Sequence, residues 1–203
     1  MNLDARQAIT WTKGIGLKLL SVNVARPKRV RHSGRAVRTS IFKEPVSGRV
    51  AVRRRNVEGD EQADLSVHGG PDKAVYAYDI GGYEHWCREL SRELPFGQFG
   101  ENLTVEGMPE TEVRIGDIYR VGTALLQVSA PRSPCFKLAL KMGLPRFPRD
   151  FLASGRTGFY LQVLEEGEIG VGDAIELVSQ DPRGVTVGQM TRFAYGGGGS
   201  RTL

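Results

Sequence analysis

Apolar residues recur along this chain in short runs rather than in long helical stripes. The stretches KLLSVNVA (18–25), VRTSIF (37–42), GRVAVRRRNV (48–57), KAVYAYD (73–79) and NLTVEG (102–107) are rich in β-branched or aromatic residues. Gly, Pro, Asn or Asp separates them, the pattern of strands closed by turns. Two later stretches, IGDIYRVGTALLQVSA (115–130) and IGVGDAIELVS (169–179), look alike. Each sets Gly-Asp just before an apolar strand, where a tight turn can feed a hairpin. Many short strands spaced roughly ten residues apart favour a barrel or sandwich over a parallel α/β sheet. Neither a dinucleotide-binding fingerprint nor a Walker loop is present.

Helical periodicity is confined to two places. In DIGGYEHWCRELSREL (79–94) Asp79 is placed to cap the N-terminus, Tyr83, Trp86, Leu90 and Leu94 share a face, and Pro95 ends the run. Cys87 lies beside that apolar stripe and reads as a buried structural thiol. A second helix is expected to start at Pro134 and run through CFKLALKMGL, which puts Cys135 in its first turn. The pattern divides the chain into an N-terminal arm (1–16), one domain (17–192) and a Gly-rich tail (193–203) that resembles a linker or a truncation.

Composition narrows the class. A length of 203 residues suits one domain with its own core. Two cysteines are too few for a disulfide framework, and no apolar run is long enough to span a bilayer. The expectation is a soluble, cytoplasmic protein in a reducing environment, where a thiol survives. The 28 Lys and Arg against 23 Asp and Glu leave a net charge of +5, concentrated in RPKRVRHSGRAVR (26–38) and RRR (53–55). Such clusters attract anions, although a solvated surface strand would look the same. No aromatic platform of Phe, Tyr or Trp interrupts 26–38, which argues against nucleic acid as the partner.

The candidate chemistry centres on SAPRSPCFKL (129–138). Pro131 and Pro134 restrict the approach to Cys135, and Arg132 and Lys137 flank it. A thiol among cations at a helix N-terminus is pushed toward thiolate, which suits a nucleophile or a soft metal ligand. An inert core cysteine is the plain alternative. A nucleophile needs a base, and of three histidines His32 lies in the basic cluster and His85 on the polar side of the first helix. His68 sits in DLSVHGGPDKAVYAY (64–78), where Gly69 and Gly70 allow tight turns and Lys73 follows. That loop could hold an anion or be an ordinary Gly-Gly turn. There is no CxxC, HxxxH or His-carboxylate cluster, so any metal on Cys135 must bring its other ligands with it.

That condition leads to a family resemblance. In order, VRTSIFKEPVSGRVAV (37–52), GDEQADLSVHGGPDKAVYAYDIGGYEHW (59–86), FGENLTVEG (99–107), IGDIYRVGTALLQVSAPRSPCFKL (115–138) and RTGFYLQVLEEGEIGVGDAIELV (156–178) resemble the MOSC domain (molybdenum cofactor sulfurase C-terminal domain), especially its small bacterial YiiM-like branch. The resemblance implies a mainly β fold with a few helices, built as a MOSC-type β-barrel. It implies that Cys135 is both the molybdenum ligand and a catalytic residue of a molybdenum cofactor enzyme. It also implies reduction of N-hydroxylated purines, hydroxylamines or amidoximes, with electrons from an external flavin-dependent NAD(P)H reductase. The residues implied to bind the cofactor are Arg38, Thr39, Lys43, His68, Gly69, Gly70, Lys73, Asn102 and Arg132, with Asp64 as a proton relay. A cofactor carrier, or a persulfide carrier on Cys135, is the alternative within the family. YiiM-like proteins commonly continue into a C-terminal three-helix segment, whereas this sequence stops at Leu203.

Overall fold

The structure is a computed structural model that describes residues 16–32, 34–63 and 70–195. The first half contributes β1 (Lys18–Val24), β2 (Lys28–His32), β3 (Arg35–Thr39), β4 (Glu44–Pro45), β5 (Arg49–Arg53), β6 (Asn56–Val57), β7 (Val75–Asp79), α1 (Ile80–Leu90) and β8 (Leu103–Glu106). The second contributes β9 (Ile118–Val121), β10 (Ala124–Pro131), α2 (Phe136–Met142), α3 (Phe147–Ala153), β11 (Phe159–Glu165), β12 (Gly167–Gly170), β13 (Ile175–Ser179) and α4 (Val187–Tyr195). The fold is mainly β with a few helices, as the pattern predicts.

Eight strands form one sheet in the order β13-β9-β10-β11-β7-β8-β1-β4, with β12-β5-β6 and β2-β3 as smaller sheets. The expected barrel is not closed. The free edge of β1 is shared between two partners, which prevents closure. Its start meets the β13 end through Leu19 N–H to Asp173 O and Ile175 N–H to Leu17 O, both 3.0 Å. Its end pairs instead with β4, at Asn23–Pro45 and Val24–Glu44.

Stretch 115–130 forms the expected hairpin of β9 and β10, but 169–179 does not: β12 pairs with β5, and β13 with β9. The Gly-Asp turns nevertheless match. Asp117 accepts from Arg114 N–H and Asp173 from Gly170 N–H, each at 2.9 Å. Gly116 and Gly172 hold φ of 97° and 93°, a conformation that favours glycine. Of stretch 37–42, only the part up to Thr39 is strand; the rest is a loop, and the basic 28–32 segment pairs with β3 as a surface hairpin.

Two apolar layers hold this frame. Leu19, Val22, Leu103, Val105, Leu126 and Phe159 belong to the larger one. The other is aromatic, with Tyr78, Trp86, Phe99, Phe147 and Phe151 packed around Leu138 and Met142. Helix α1 lies on the aromatic layer. Asp79 caps it as expected, accepting from Gly81 N–H at 2.8 Å. A Cβ at Gly82 would come within 2.5 Å of the Tyr78 ring, so glycine is what lets the helix sit on that tyrosine. The helix stops at Ser91 in a left-handed conformation (φ 49°), before Leu94, and Cys87 is only partly buried.

The β7–β8 pair is parallel, which requires the α1 crossover to carry the chain back alongside β7. Asn102, at the end of that crossover, joins three segments. Its Oδ1 accepts from Tyr76 N–H (3.2 Å), and its Nδ2 donates to Asn23 O (3.2 Å) and Asp60 Oδ2 (3.0 Å). Neighbouring Glu101, fully buried, accepts from Gly97 N–H (2.7 Å), Phe99 N–H (3.1 Å), Thr104 Oγ1 (3.0 Å) and the Tyr83 hydroxyl.

Asn102→Asp would set a carboxylate against Asp60 in a buried place. We expect it to cost about 3 kcal/mol or more in urea unfolding, well beyond a surface substitution. A second prediction concerns Glu110, whose carboxylate accepts from Gly158 N–H at 2.7 Å. Burial raises its pKa from 4.5 to about 7. Folding therefore takes up a proton between those values, and stability falls as pH rises through that window. Glu110→Gln keeps the acceptor but does not titrate. It should match wild type at pH ~4 and exceed it by about 2–3 kcal/mol at pH ~8 in denaturant melts.

Candidate functional site

One cleft opens where the end of β3, the loop after it, β7, β11 and the start of α2 meet. It encloses about 120 Å³ and opens widely to solvent. Cys135 lines it as the N-cap residue of α2, at φ −122° and ψ 172°, one step before the first turn in which it was expected. It is partly buried and forms no disulfide. Seven residues make a short helix that needs outside support. Leu138 and Met142 pack it into the aromatic layer. Lys141 ties it to the loops opposite, donating to Ile41 O (2.9 Å) and Gly97 O. Burial lowers the pKa of that lysine to about 8, against the pull of Glu101.

Arg132 forms the floor. It is 5% exposed and lies over two rings, with its guanidinium carbon 5.0 Å from the Tyr76 centroid and 5.4 Å from that of Phe151. Such stacking offsets part of the cost of burying a cation. Its Nη2 donates weakly to Phe99 O (3.4 Å), while Nη1 is buried without a hydrogen-bond partner. Among the described residues no carboxylate lies within ion-pairing distance of it. Ser40 Oγ, on the same cleft, is also buried and unbonded. Across from them Lys43 pairs with Asp60, which also accepts from Ala25 N–H at 2.8 Å. Burial lowers the Lys43 pKa, and Asp60 pulls it back up.

The structure brings Thr39, Lys43, Lys73, Asn102, Arg132 and Cys135 onto this cleft. They come from four segments far apart in sequence. Asn102 is there for the fold, since its amide is taken up by Asn23, Asp60 and Tyr76. Arg38 is not on the cleft wall. It neighbours Thr39 on a strand, so its side chain takes the opposite face, and it donates to Ala63 O at 2.9 Å. Gly70 also lies off the wall; with φ 110° it precedes a 3-10 turn at Pro71–Lys73. Asp64, His68 and Gly69 lie outside the described residues.

Sequence reasoning missed Ser40, Asp60, Tyr76 and Tyr160, all on the cleft. Tyr76 had a signal, since strand alternation sets it on the same face as Tyr78. Its hydroxyl donates to Thr157 O at 2.8 Å, so it offers its ring rather than its oxygen. Asp60 had none: its partners Ala25, Lys43 and Asn102 are all remote in sequence.

Comparison with known proteins agrees with this geometry. Residues 64–176 match the MOSC domain. YflK of Bacillus subtilis, itself uncharacterized, is 45% identical over 177 residues, which span 87% of this chain and 80% of YflK. A protein named Reductase from Gibberella moniliformis is 38% identical over 166 residues, 80% of this chain but only 29% of that protein. The crystal structure of YiiM from Geobacillus stearothermophilus aligns with a TM-score of 0.74 at 37% identity, covering 88% of this chain and 84% of that one. With the family match, the close relatives and the shared fold all in agreement, the chain belongs to the MOSC domain family.

Proposed function

We propose that this chain holds a molybdenum cofactor in the Cys135 cleft and with it reduces N-hydroxylated compounds: N-hydroxylated purine bases, hydroxylamines or amidoximes. The observation that carries this reading is the Arg132 guanidinium, buried with Nη1 unbonded and, among the described residues, no carboxylate partner, in the same cleft as a thiol. An uncompensated buried cation costs several kcal/mol, which an anionic ligand recovers. A phosphorylated cofactor that carries its own sulfur ligands fits this donor set. Arg132, Ser40 and Lys43 would hold its anionic and polar groups, and the Cys135 thiolate suits a soft metal. When bound, such a cofactor supplies the two-electron couple for cleaving the N–O bond.

The chain's own residues bind and orient. The rings of Tyr76 and Tyr160, 5.7 Å apart, give the cleft an apolar wall for a flat substrate. Reduction of N–OH to N–H consumes two electrons and two protons and releases water. Asp64 is the proposed proton relay. The electrons are proposed to come from a separate flavin-dependent NAD(P)H reductase, since this sequence carries no dinucleotide-binding fingerprint. The relative named Reductase supports oxidoreductase chemistry in general terms.

Metal analysis of protein from a host that makes the cofactor tests the site. Wild type should carry close to one Mo per chain and Cys135→Ser less than about a tenth of that. Loaded protein given a chemical reductant should convert hydroxylaminopurine to aminopurine. Full loading without turnover would sink the reductase reading and leave a carrier. For Arg132→Met we expect opposite effects on two readouts. The cofactor-free chain should gain about 1–3 kcal/mol in denaturant melts as a buried unpaired cation is removed, while Mo retention falls about tenfold or more.

A further inference from the structure

The β2–β3 hairpin is a separate two-stranded sheet on the surface, outside the main sheet. Lys28, Arg29, Arg31, Arg35 and Arg38 are exposed on it, and the segment 26–38 contains no Asp or Glu. Among the described residues none of these cations pairs with a carboxylate. The register sets Arg29 directly opposite Arg38, and His32 opposite Arg35. Like charges such as Arg29 and Arg38 placed so oppose hairpin formation, and among the described residues no carboxylate offsets them.

The position of the hairpin gives that cost a purpose. Thr39, at its base, lines the cleft. His32, near its tip, lies 6.1 Å from the Phe136 ring, next to Cys135. Lys28 sits 4.2 Å over the Phe42 ring, and Arg38 holds Ala63 O. The hairpin therefore forms the rim of the cleft on the Cys135 side, with Phe136, 52% exposed, as an apolar spot among the cations. A purine or hydroxylamine has no use for so much positive charge. A protein with an acidic face does, and it must come to this mouth to deliver electrons.

We infer that the β2–β3 hairpin is the docking surface for an acidic electron-donor flavoprotein, which rests on the reductase reading above. Cations on a rim act mainly on association, so docking should weaken steeply with salt. Nucleic acid fits less well, because His32 is the hairpin's only aromatic ring.

The test uses cofactor-loaded chain, hydroxylaminopurine and two electron sources: reduced flavodoxin, an acidic flavoprotein, and reduced lumiflavin, a small neutral flavin. The variant is Arg29→Glu, Arg31→Glu, Arg35→Glu, three positions away from the cleft wall. The flavodoxin-driven rate should fall about tenfold or more in the variant, and by a similar factor in wild type between about 50 and 300 mM salt. The lumiflavin-driven rate should stay within about twofold. In parallel, immobilised cofactor-free wild type should retain flavodoxin at low salt and the variant should not. Equal flavodoxin-driven rates in both proteins would overturn the inference. So would a variant that loses binding to a single-stranded oligonucleotide but not to flavodoxin. If lumiflavin drives no turnover even in wild type, the reductase reading fails, while flavodoxin retention still decides the hairpin.

Discussion

The walls of the cleft depend on one buried amide. The parallel pairing of β7 and β8 brings Asn102 beside Tyr76, and from there it bonds β1 at Asn23 and the loop at Asp60. Asp60, so placed, fixes Lys43 and Ala25 N–H. Each group completes another's hydrogen bonds where water cannot, so the loss of one partner strands the rest. Glu101, the preceding residue, orders 97–99 in the same way, and Gly97 O then receives Lys141 from the Cys135 helix. Two adjacent polar residues therefore register the sheet, the cleft loops and the thiol against one another.

The aromatic layer beneath makes a buried cation tolerable. Tyr76 and Phe151 stack on Arg132, and Leu138 and Met142 from α2 pack into the same layer. The thiol and the guanidinium thus share one rigid support. What the layer does not supply is a counter-charge, and a well-packed core would have no reason to keep a guanidinium there. The unbonded Nη1 and the unpaired arginines of the hairpin are the same kind of sign at two scales. In each, the fold bears an electrostatic cost that the proposed cofactor or docking partner would relieve.

Local chemistry was legible to the extent that its partners lie nearby in sequence. Asp79 capping α1, the two Gly-Asp turns and the β9–β10 hairpin depend on residues within a few positions of one another. Where the partner is remote, the reading went astray. Stretch 169–179 has the composition of a hairpin, but β5 and β9 compete for its two strands and win. Stretch 37–42 keeps a strand's apolar composition past Thr39, yet the chain turns there to line the cleft. Arg38 and Thr39 are adjacent in the sequence, but one step of strand alternation puts only Thr39 on the cleft.

By itself the sequence determined a mainly β domain, the cap at Asp79 that begins α1, a thiol that follows two prolines and lies between two cations, and an unbalanced basic segment, but it gave no sign of α3 or α4. These follow from backbone preferences and charge, which act over a few residues. Only the tertiary structure decided that the sheet stays open, that Asn102 serves the fold, that Ser40, Asp60, Tyr76 and Tyr160 join the cleft, and that Arg132 is buried with no carboxylate partner among the described residues. Those outcomes depend on which remote segments exclude water from one another, and burial sets the energy of every polar group in the cleft.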